Sequence, residues 1–424
     1  MVKNINRNWK SFFLIISLNI FIVSLLFVIF PYKPKIDYST IVLSDDNTLI
    51  HSFLTPDDKW RMFTTLDEIT PTLKKVCFDC CIHFFYYHFG VNPIAIFRAT
   101  FNNIFSGKRT SGASTITMQV ARLLEPKERS YSNKLIEIFR AFQLEWAYSK
   151  EQILQMYLNL VPYGGNIEGV KAASLIYFEK MPNHLSLAEI TALAIIPNRP
   201  NTLRPGKANA LIEQERNKWL SNFEKGAVFS ANDIHDASTE ALYATRNSLP
   251  KTAPHLSLRL KNEYNSQNII HSSIDLNMQL KVEAMVYNYV QQLYHRRIKN
   301  AAVLILDNES MKVSTYIGSA DFFNNDDGGQ VDGIRAIRSP GSTLKPFMYG
   351  LAIDKGLLTP KSIINDVPVN FSGYQPQNYQ ENFNGSVTLE FALSNSLNIS
   401  AVKILDQLQP DYFIDALAKA GFQQ

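Results

Sequence analysis

From Phe12 to Phe30 the chain is a nearly unbroken apolar run, interrupted only by Ser17, Asn19 and Ser24. Nothing else narrows its folding options so far, because about 20 such residues cross the hydrocarbon core of a bilayer as a helix. Lys3, Arg7 and Lys10 precede the run, and cations on that side place the N-terminus in the cytoplasm. A cleaved leader is the rival reading. The run is long for the apolar part of a signal peptide, and Pro31-Tyr32-Lys33-Pro34-Lys35 offers no small-x-small cleavage site. The expectation is an uncleaved single-pass anchor within residues 1–35, with the rest of the chain facing outward.

At 424 residues the chain is long enough for two or three full cores. Its net charge is only +4 and no Lys/Arg block stands out, so nucleic acid is not an expected partner. All three cysteines, Cys77, Cys80 and Cys81, fall together, whereas a disulfide framework spaces its cysteines along the chain. Cys77-x-x-Cys80, with His83 and His88 nearby, lacks the second ligand pair of a zinc site. These thiols read as incidental or reactive, and no metal site is expected.

Ile41 to Phe53 alternates enough to predict a short hairpin. Leu66 to Lys225 reads as an all-helical domain. Within it, Ser149-x-x-Gln152 and Ser186-x-x-Glu189 are capping-box patterns, ended by Pro162-Tyr163-Gly164-Gly165 and Pro197-Asn198-Arg199-Pro200. Pro250 to Asn268 shows little periodicity and reads as linker. Strands are expected at Ala301 to Asp307 and Val313 to Gly318, and helices at Thr343 to Lys355 and Thr388 to Leu393. The resulting division is 36–225 for a first domain, 226–268 for a linker and 269–424 for a mixed α and β domain.

Arg109 to Gln119 packs small residues, hydroxyls and a glutamine into a basic-flanked turn entering a helix. Helix-start N–H groups with nearby hydroxyls and cations suit a phosphate or pyrophosphate. Four further motifs surround it in order: Phe85-Tyr86-Tyr87-His88-Phe89-Gly90; Lys134-x-x-Glu137; Tyr157-Leu158-Asn159 with Pro162 to Gly169; and Ala172-Ala173 with Tyr177-Phe178 and Lys180. Together these resemble the glycosyltransferase domain of class A penicillin-binding proteins, and its Gly112-Ala113-Ser114-Thr115 variant resembles their 1C branch. The resemblance implies a mainly α, lysozyme-like domain that polymerises lipid II into nascent glycan strands. It implies an inner-membrane location with the bulk periplasmic, and other cell-wall synthesis proteins as partners. Glu137 is then a catalytic acid, with Lys134, Ser114, Thr115 and Gln119 holding the sugar-pyrophosphate. A divalent cation at the pyrophosphate is the one cofactor it allows. His88 shapes the first motif rather than reacting.

The chain departs from that pattern at Glu179, where Gly is usual, and across the whole Cys77 to His83 block. Counting back from Phe85, the family's Glu-Asp falls on Cys81 and Ile82. A thiol with pKa near 8.5 is a poor stand-in for a carboxylate base. Asp79 lies two residues away, about 200° round a helix, and does not replace it. The expectation is crippled glycosyl transfer. A non-catalytic lipid II-binding or scaffold remnant is the alternative reading, and a decayed product without a stable second domain is a third.

Ser339-Pro340-Gly341-Ser342-Thr343-Leu344-Lys345-Pro346-Phe347 holds a Ser-x-x-Lys with specific flanks, and Ser396-Leu397-Asn398 follows. Ser342 at a helix start with Lys345 one turn on suits a nucleophile beside its base. The pair resembles the α/β, serine β-lactamase-like transpeptidase domain of the same family, with Ser342 as nucleophile, Lys345 as base, and Ser396 and Asn398 as companions. The domain reads as truncated, since Lys-Thr/Ser-Gly is absent before Gln424. Its first strands are then expected to leave apolar faces uncovered. No acylation at Ser342 is expected; labelling by a fluorescent penicillin that disappears in Ser342→Ala overturns this.

Overall fold

The computed structural model describes residues 29–30, 32–77, 85–95, 98, 101, 114–128, 130–371 and 373–422. Most of the apolar run lies outside them, as do Cys81, Ile82 and the turn from Arg109 to Ala113. Among the described residues no helix is long and apolar enough to cross a membrane. The chain divides into two compact units, Met1–Arg335 and Ala336–Gln424.

The first unit opens with the expected hairpin, β1 (Ile41–Leu43) and β2 (Leu49–Ser52). Its turn places Asn47 at φ 64, and Asp46 Oδ1 accepts the Thr48 N–H at 3.0 Å. Two short strands, β3 (Trp60–Arg61) and β4 (Ile167–Glu168), pair in parallel. A third partner for the hairpin, β5 (Ile269–His271), runs parallel to β1.

Seven helices then build the bulk of the unit: α1 (Pro71–Cys77), α2 (Ile116–Leu124), α3 (Tyr131–Ala147), α4 (Lys150–Leu160), α5 (Val170–Phe178), α6 (Leu187–Ile195) and α7 (Asn209–Lys225). Both capping boxes form: Ser149 with Gln152 opens α4, and Ser186 with Glu189 opens α6. Each satisfies two N–H groups that a helix start otherwise leaves unpaired. The apolar faces of α2, α3, α4, α5 and α6 meet in one core that includes Val120, Leu144, Ile153, Ile176 and Leu193. α6 is buried along almost its whole length, which is why it reads as continuously apolar rather than amphipathic.

The stretch from residue 226 to 268 is not irregular chain. It carries α8 (Ala231–Thr239), capped by Ser230, and α9 (Pro254–Glu263), with Pro254 in the first turn. Proline there loses no hydrogen bond, and the short helix has only His255, Leu256 and Ser257 buried, too few to show a period in the sequence. α10 (Leu276–Leu293) follows, capped by Asp275, then the antiparallel pair β6 (Val303–Leu306) and β7 (Val313–Ile317). On β6 the side chains of Leu304 and Leu306 remain 42% and 45% exposed.

Among its described residues the second unit has a 3-10 turn, Gly341–Leu344, and α11 (Lys345–Asp354). An antiparallel pair follows, β8 (Ile363–Asp366) and β9 (Gly385–Thr388), then helices α12 (Leu389–Ser394), α13 (Asn398–Leu408) and α14 (Pro410–Lys419). Met348, Tyr349, Ile404 and Leu408 are among its core.

α5 ends on Glu179 in the left-handed region, φ 55. A residue with a Cβ is strained there by about 1 kcal/mol, whereas glycine is not. Glu179→Gly is therefore expected to raise the stability of the first unit by about 1 kcal/mol, read as a shift in the urea midpoint at constant slope.

Candidate active sites

α3 carries the first site on one stripe. Lys134, Glu137, Ala141 and Glu145 recur at intervals of three and four residues, so they share a helix face. Lys134 Nζ donates to Glu137 Oε1 at 2.6 Å and to Ser114 Oγ at 2.7 Å. The Glu137 side chain is only 11% exposed and that of Lys134 39%. The ammonium is thus held at the mouth of the site, and the carboxylate just behind it.

The start of α2 supplies the other wall. Thr115 caps the helix by accepting the Met118 N–H at 3.2 Å, and its hydroxyl donates to the Gly90 carbonyl at 2.6 Å. That hydroxyl is therefore committed inside the protein, so Thr115 shapes the turn while Ser114 faces the cation. Gln119 lies one turn into α2, partly exposed. The arrangement brings together Ser114, Lys134 and Glu137; Cys81 and Ile82 lie outside the described residues.

Residues not anticipated from the sequence hold these walls together. Glu145, with a side chain 3% exposed, accepts from Lys150 Nζ at 2.7 Å and from Thr117 Oγ1 at 2.5 Å. Lys150 also donates to the His88 carbonyl at 2.6 Å and sits over the Phe85 ring at 4.5 Å. Gly90 presses against this cluster: a Cβ there would stand 3.0 Å from the Ala141 carbonyl and 3.1 Å from Glu145 Cγ. One buried ion pair thereby joins the His88 segment, α2, α3 and α4. His88 is packed against Phe85, and burial, with Lys150 nearby, pushes its pKa down.

Before the first helices, Gln143 Nε2 donates to the Phe30 carbonyl at 2.6 Å, and Arg140 stacks over Tyr32 at 4.5 Å. The end of the apolar run is thus fastened to α3. The fourth motif is scaffold. Asn159, fully buried, accepts from Thr64 N at 2.8 Å and donates to Thr64 O at 2.9 Å. Gly169 approaches it so closely that a Cβ would lie 2.6 Å from the Asn159 carbonyl. Glu168 receives Arg61 at 2.6 Å.

In the second unit Ser342 lies exposed in the 3-10 turn that leads into α11. Lys345 Nζ, whose pKa burial lowers, donates to Ser396 O and Asn398 Oδ1, both at 2.6 Å, and to Ser396 Oγ at 3.2 Å. The ammonium is turned toward Ser396 and Asn398 rather than toward Ser342 Oγ. Ser396 adopts φ 50, an uncommon conformation for a residue with a side chain. It presents both its carbonyl and its hydroxyl to Lys345.

Among the described residues no group of three or more His, Cys, Asp and Glu stands close enough to hold a metal ion. The Glu137 carboxylate is already taken by Lys134. These donors do not fit a protein cage for a divalent cation.

A transglycosylase family model matches residues 46–224, and a penicillin binding protein transpeptidase domain model matches 301–424. Penicillin-binding protein 1C of Escherichia coli (strain K12) is 35% identical over 387 residues, covering 91% of this chain and 50% of that protein. The chain belongs to the class A penicillin-binding proteins. Penicillin-binding protein 1F of Bacillus subtilis (strain 168) is 28% identical over 340 residues, covering 76% of this chain and 47% of that one. The chain thus spans about half the length of these two members of the family. The crystal structure of penicillin-binding protein 1A from Haemophilus influenzae aligns with a TM-score of 0.47 at 16% identity, covering 92% of this chain and 64% of that chain.

Removing one partner of a buried pair strands the other's charge. Lys150→Met should destabilise the first unit by about 3–5 kcal/mol. The double change Lys150→Met with Glu145→Leu should cost clearly less than the sum of the two single changes. Urea unfolding of all three variants reads the coupling; strict additivity contradicts the pair's role.

Proposed function

We propose that this chain acts in peptidoglycan biosynthesis as a membrane-anchored glycosyltransferase that binds lipid II and growing glycan strands but turns over slowly. The observation that carries the reading is the Ser114–Lys134–Glu137 cluster at the start of α2 and along α3. A cation at 2.6 Å from a mostly buried carboxylate and 2.7 Å from a hydroxyl is suited to a departing pyrophosphate. Charge develops on that leaving group as the glycosidic bond to the donor sugar breaks, and a fixed ammonium stabilises it. Lys134 supplies positive charge toward the pyrophosphate.

The acceptor hydroxyl must also lose a proton to a base. By family resemblance that base belongs at position 81, where Cys81 stands. Its absence lowers the rate by about 10²–10⁴-fold while leaving the pyrophosphate cradle intact. The same substitution favours a second reading, in which the first unit only binds lipid II or serves as a scaffold.

Membrane anchorage draws support from the Phe12–Phe30 run and from exposed apolar side chains near the site. Tyr87, Ile94, Tyr131 and Leu135 are 87%, 81%, 90% and 68% exposed, and such side chains mark a contact surface where they form one contiguous patch. The proposed topology has a cytoplasmic N-terminus and a periplasmic bulk in the inner membrane, beside other cell-wall synthesis proteins. Ser342, Lys345, Ser396 and Asn398 are assigned to a transpeptidase site by the same resemblance.

The deciding experiment polymerises lipid II with the purified full chain in detergent. The wild type should give glycan product slowly, and Cys81→Glu with Ile82→Asp should raise the rate by roughly 10²-fold or more. Fast polymerisation by the wild type contradicts the assignment of the missing base. No product from either protein favours the binding-only reading.

A further inference from the structure

We propose that Asp366 and Asn378 form a positioning strut that sets Asn398 and, through it, the Lys345 ammonium. Asp366, at the end of β8, is fully buried, and among the described residues no Lys or Arg forms a salt bridge with it. Its carboxylate is satisfied by amides instead. Asn378 Nδ2 donates to Oδ1 at 3.1 Å and to Oδ2 at 2.9 Å. The backbone N–H and Nδ2 of Asn384 donate to Oδ2 at 3.0 and 2.8 Å.

This fixes which way the Asn378 carboxamide points. Turned over, its oxygen would face the Asp366 carboxylate and its NH2 would face two further N–H groups. In the observed sense, Nδ2 also donates to the Asn382 carbonyl at 2.9 Å, and Oδ1 accepts from Asn398 N at 2.8 Å and Ile399 N at 3.4 Å. Those two N–H groups open α13, and the residue at its own cap position, Leu397, supplies no side-chain bond. Asn378 therefore caps α13 from another segment of the chain. An unpaired helix start costs stability unless something accepts its N–H groups.

With the start of α13 fixed, the Asn398 side chain has two partners. Its Nδ2 donates to the Gln377 carbonyl at 2.9 Å and its Oδ1 accepts Lys345 Nζ at 2.6 Å. The line from a buried carboxylate to the lysine thus runs Asp366, Asn378, Asn398, Lys345, each link a hydrogen bond with one permitted direction. Asp366 and Asn378 touch neither Ser342 nor Lys345; they act through Asn398. The strut rests on reading Ser342, Lys345 and Ser396–Asn398 as the family's acylation site. The lysine measurement below needs no acylation, so its outcome is separate from whether Ser342 reacts.

The full chain is treated with an amine-acetylating reagent, and the rate at each lysine is read by peptide mass spectrometry. Lys361, on the surface with a side chain 81% exposed, is the internal reference. Lys345 should react slowly in the wild type. Asn378→Ala should speed it roughly fivefold with Lys361 unchanged, the effect of losing a helix cap. Asn378→Asp alone, which sets a carboxylate against Asp366, should also speed it. Exchanging the two roles, Asp366→Asn with Asn378→Asp, should bring the rate back toward wild type. Should Asn378→Ala unfold the second unit, seen as faster reaction at Lys355, Lys403 and Lys419 together, the exchange pair decides. An unchanged Lys345 rate in folded Asn378→Ala, or an exchange pair no slower than Asn378→Asp alone, overturns the proposal.

Discussion

The buried pair of Glu145 and Lys150 is the interaction on which the first site depends. A carboxylate 3% exposed is tolerable only because a lysine and a threonine hydroxyl satisfy it. Lys150 in turn reaches the His88 carbonyl, so its ammonium ties together segments that are distant in sequence. Glu145 stands two helical turns from Glu137 on the same face of α3. Whatever fixes Glu145 therefore sets the depth and rotation of the helix that presents Glu137 and Lys134. An ion pair set apart from Lys134 and Glu137 thus anchors the helix that carries them.

Both units place a cation by the same logic, with different parts. In the first, Lys134 is held by a carboxylate three residues on and by Ser114 across the groove. In the second, Lys345 is held by a carbonyl, a hydroxyl and an amide, with no carboxylate in contact among the described residues. Burial pushes the Lys345 pKa down, because a charged ammonium is disfavoured away from water. The two lysines thus sit in different surroundings, Lys134 against a carboxylate and Lys345 against neutral oxygens.

What the sequence made legible follows from the range of the interactions involved. Capping boxes are local, so Ser149, Gln152, Ser186 and Glu189 announced α4 and α6 correctly. The β1–β2 hairpin and the β6–β7 pair were equally visible, since each is closed by a short turn. The i,i+3 spacing of Lys134 and Glu137 implied a shared face, and α3 presents one. Long-range partners left no such trace. Nothing in Ile269–His271 announces a parallel pairing with Ile41–Leu43, and Thr117, Glu145 and Lys150 each look like ordinary surface residues. The helix at Pro254 was missed because it has too few buried positions to set a period. Thr115 was read as a ligand-binding hydroxyl, but its oxygen is already spent on Met118 and Gly90.

We propose that the first unit still holds lipid II although Cys81 stands where the family's first-motif acid belongs. Equilibrium binding of fluorescent lipid II to the detergent-solubilised full chain tests this most directly, with Lys134→Met and Cys81→Glu compared against the wild type. Clear binding by the wild type is expected, weakened by roughly tenfold or more in Lys134→Met, where a charge-assisted contact is lost, and nearly unchanged in Cys81→Glu. Absent binding by the wild type, or equal binding by Lys134→Met, would contradict it.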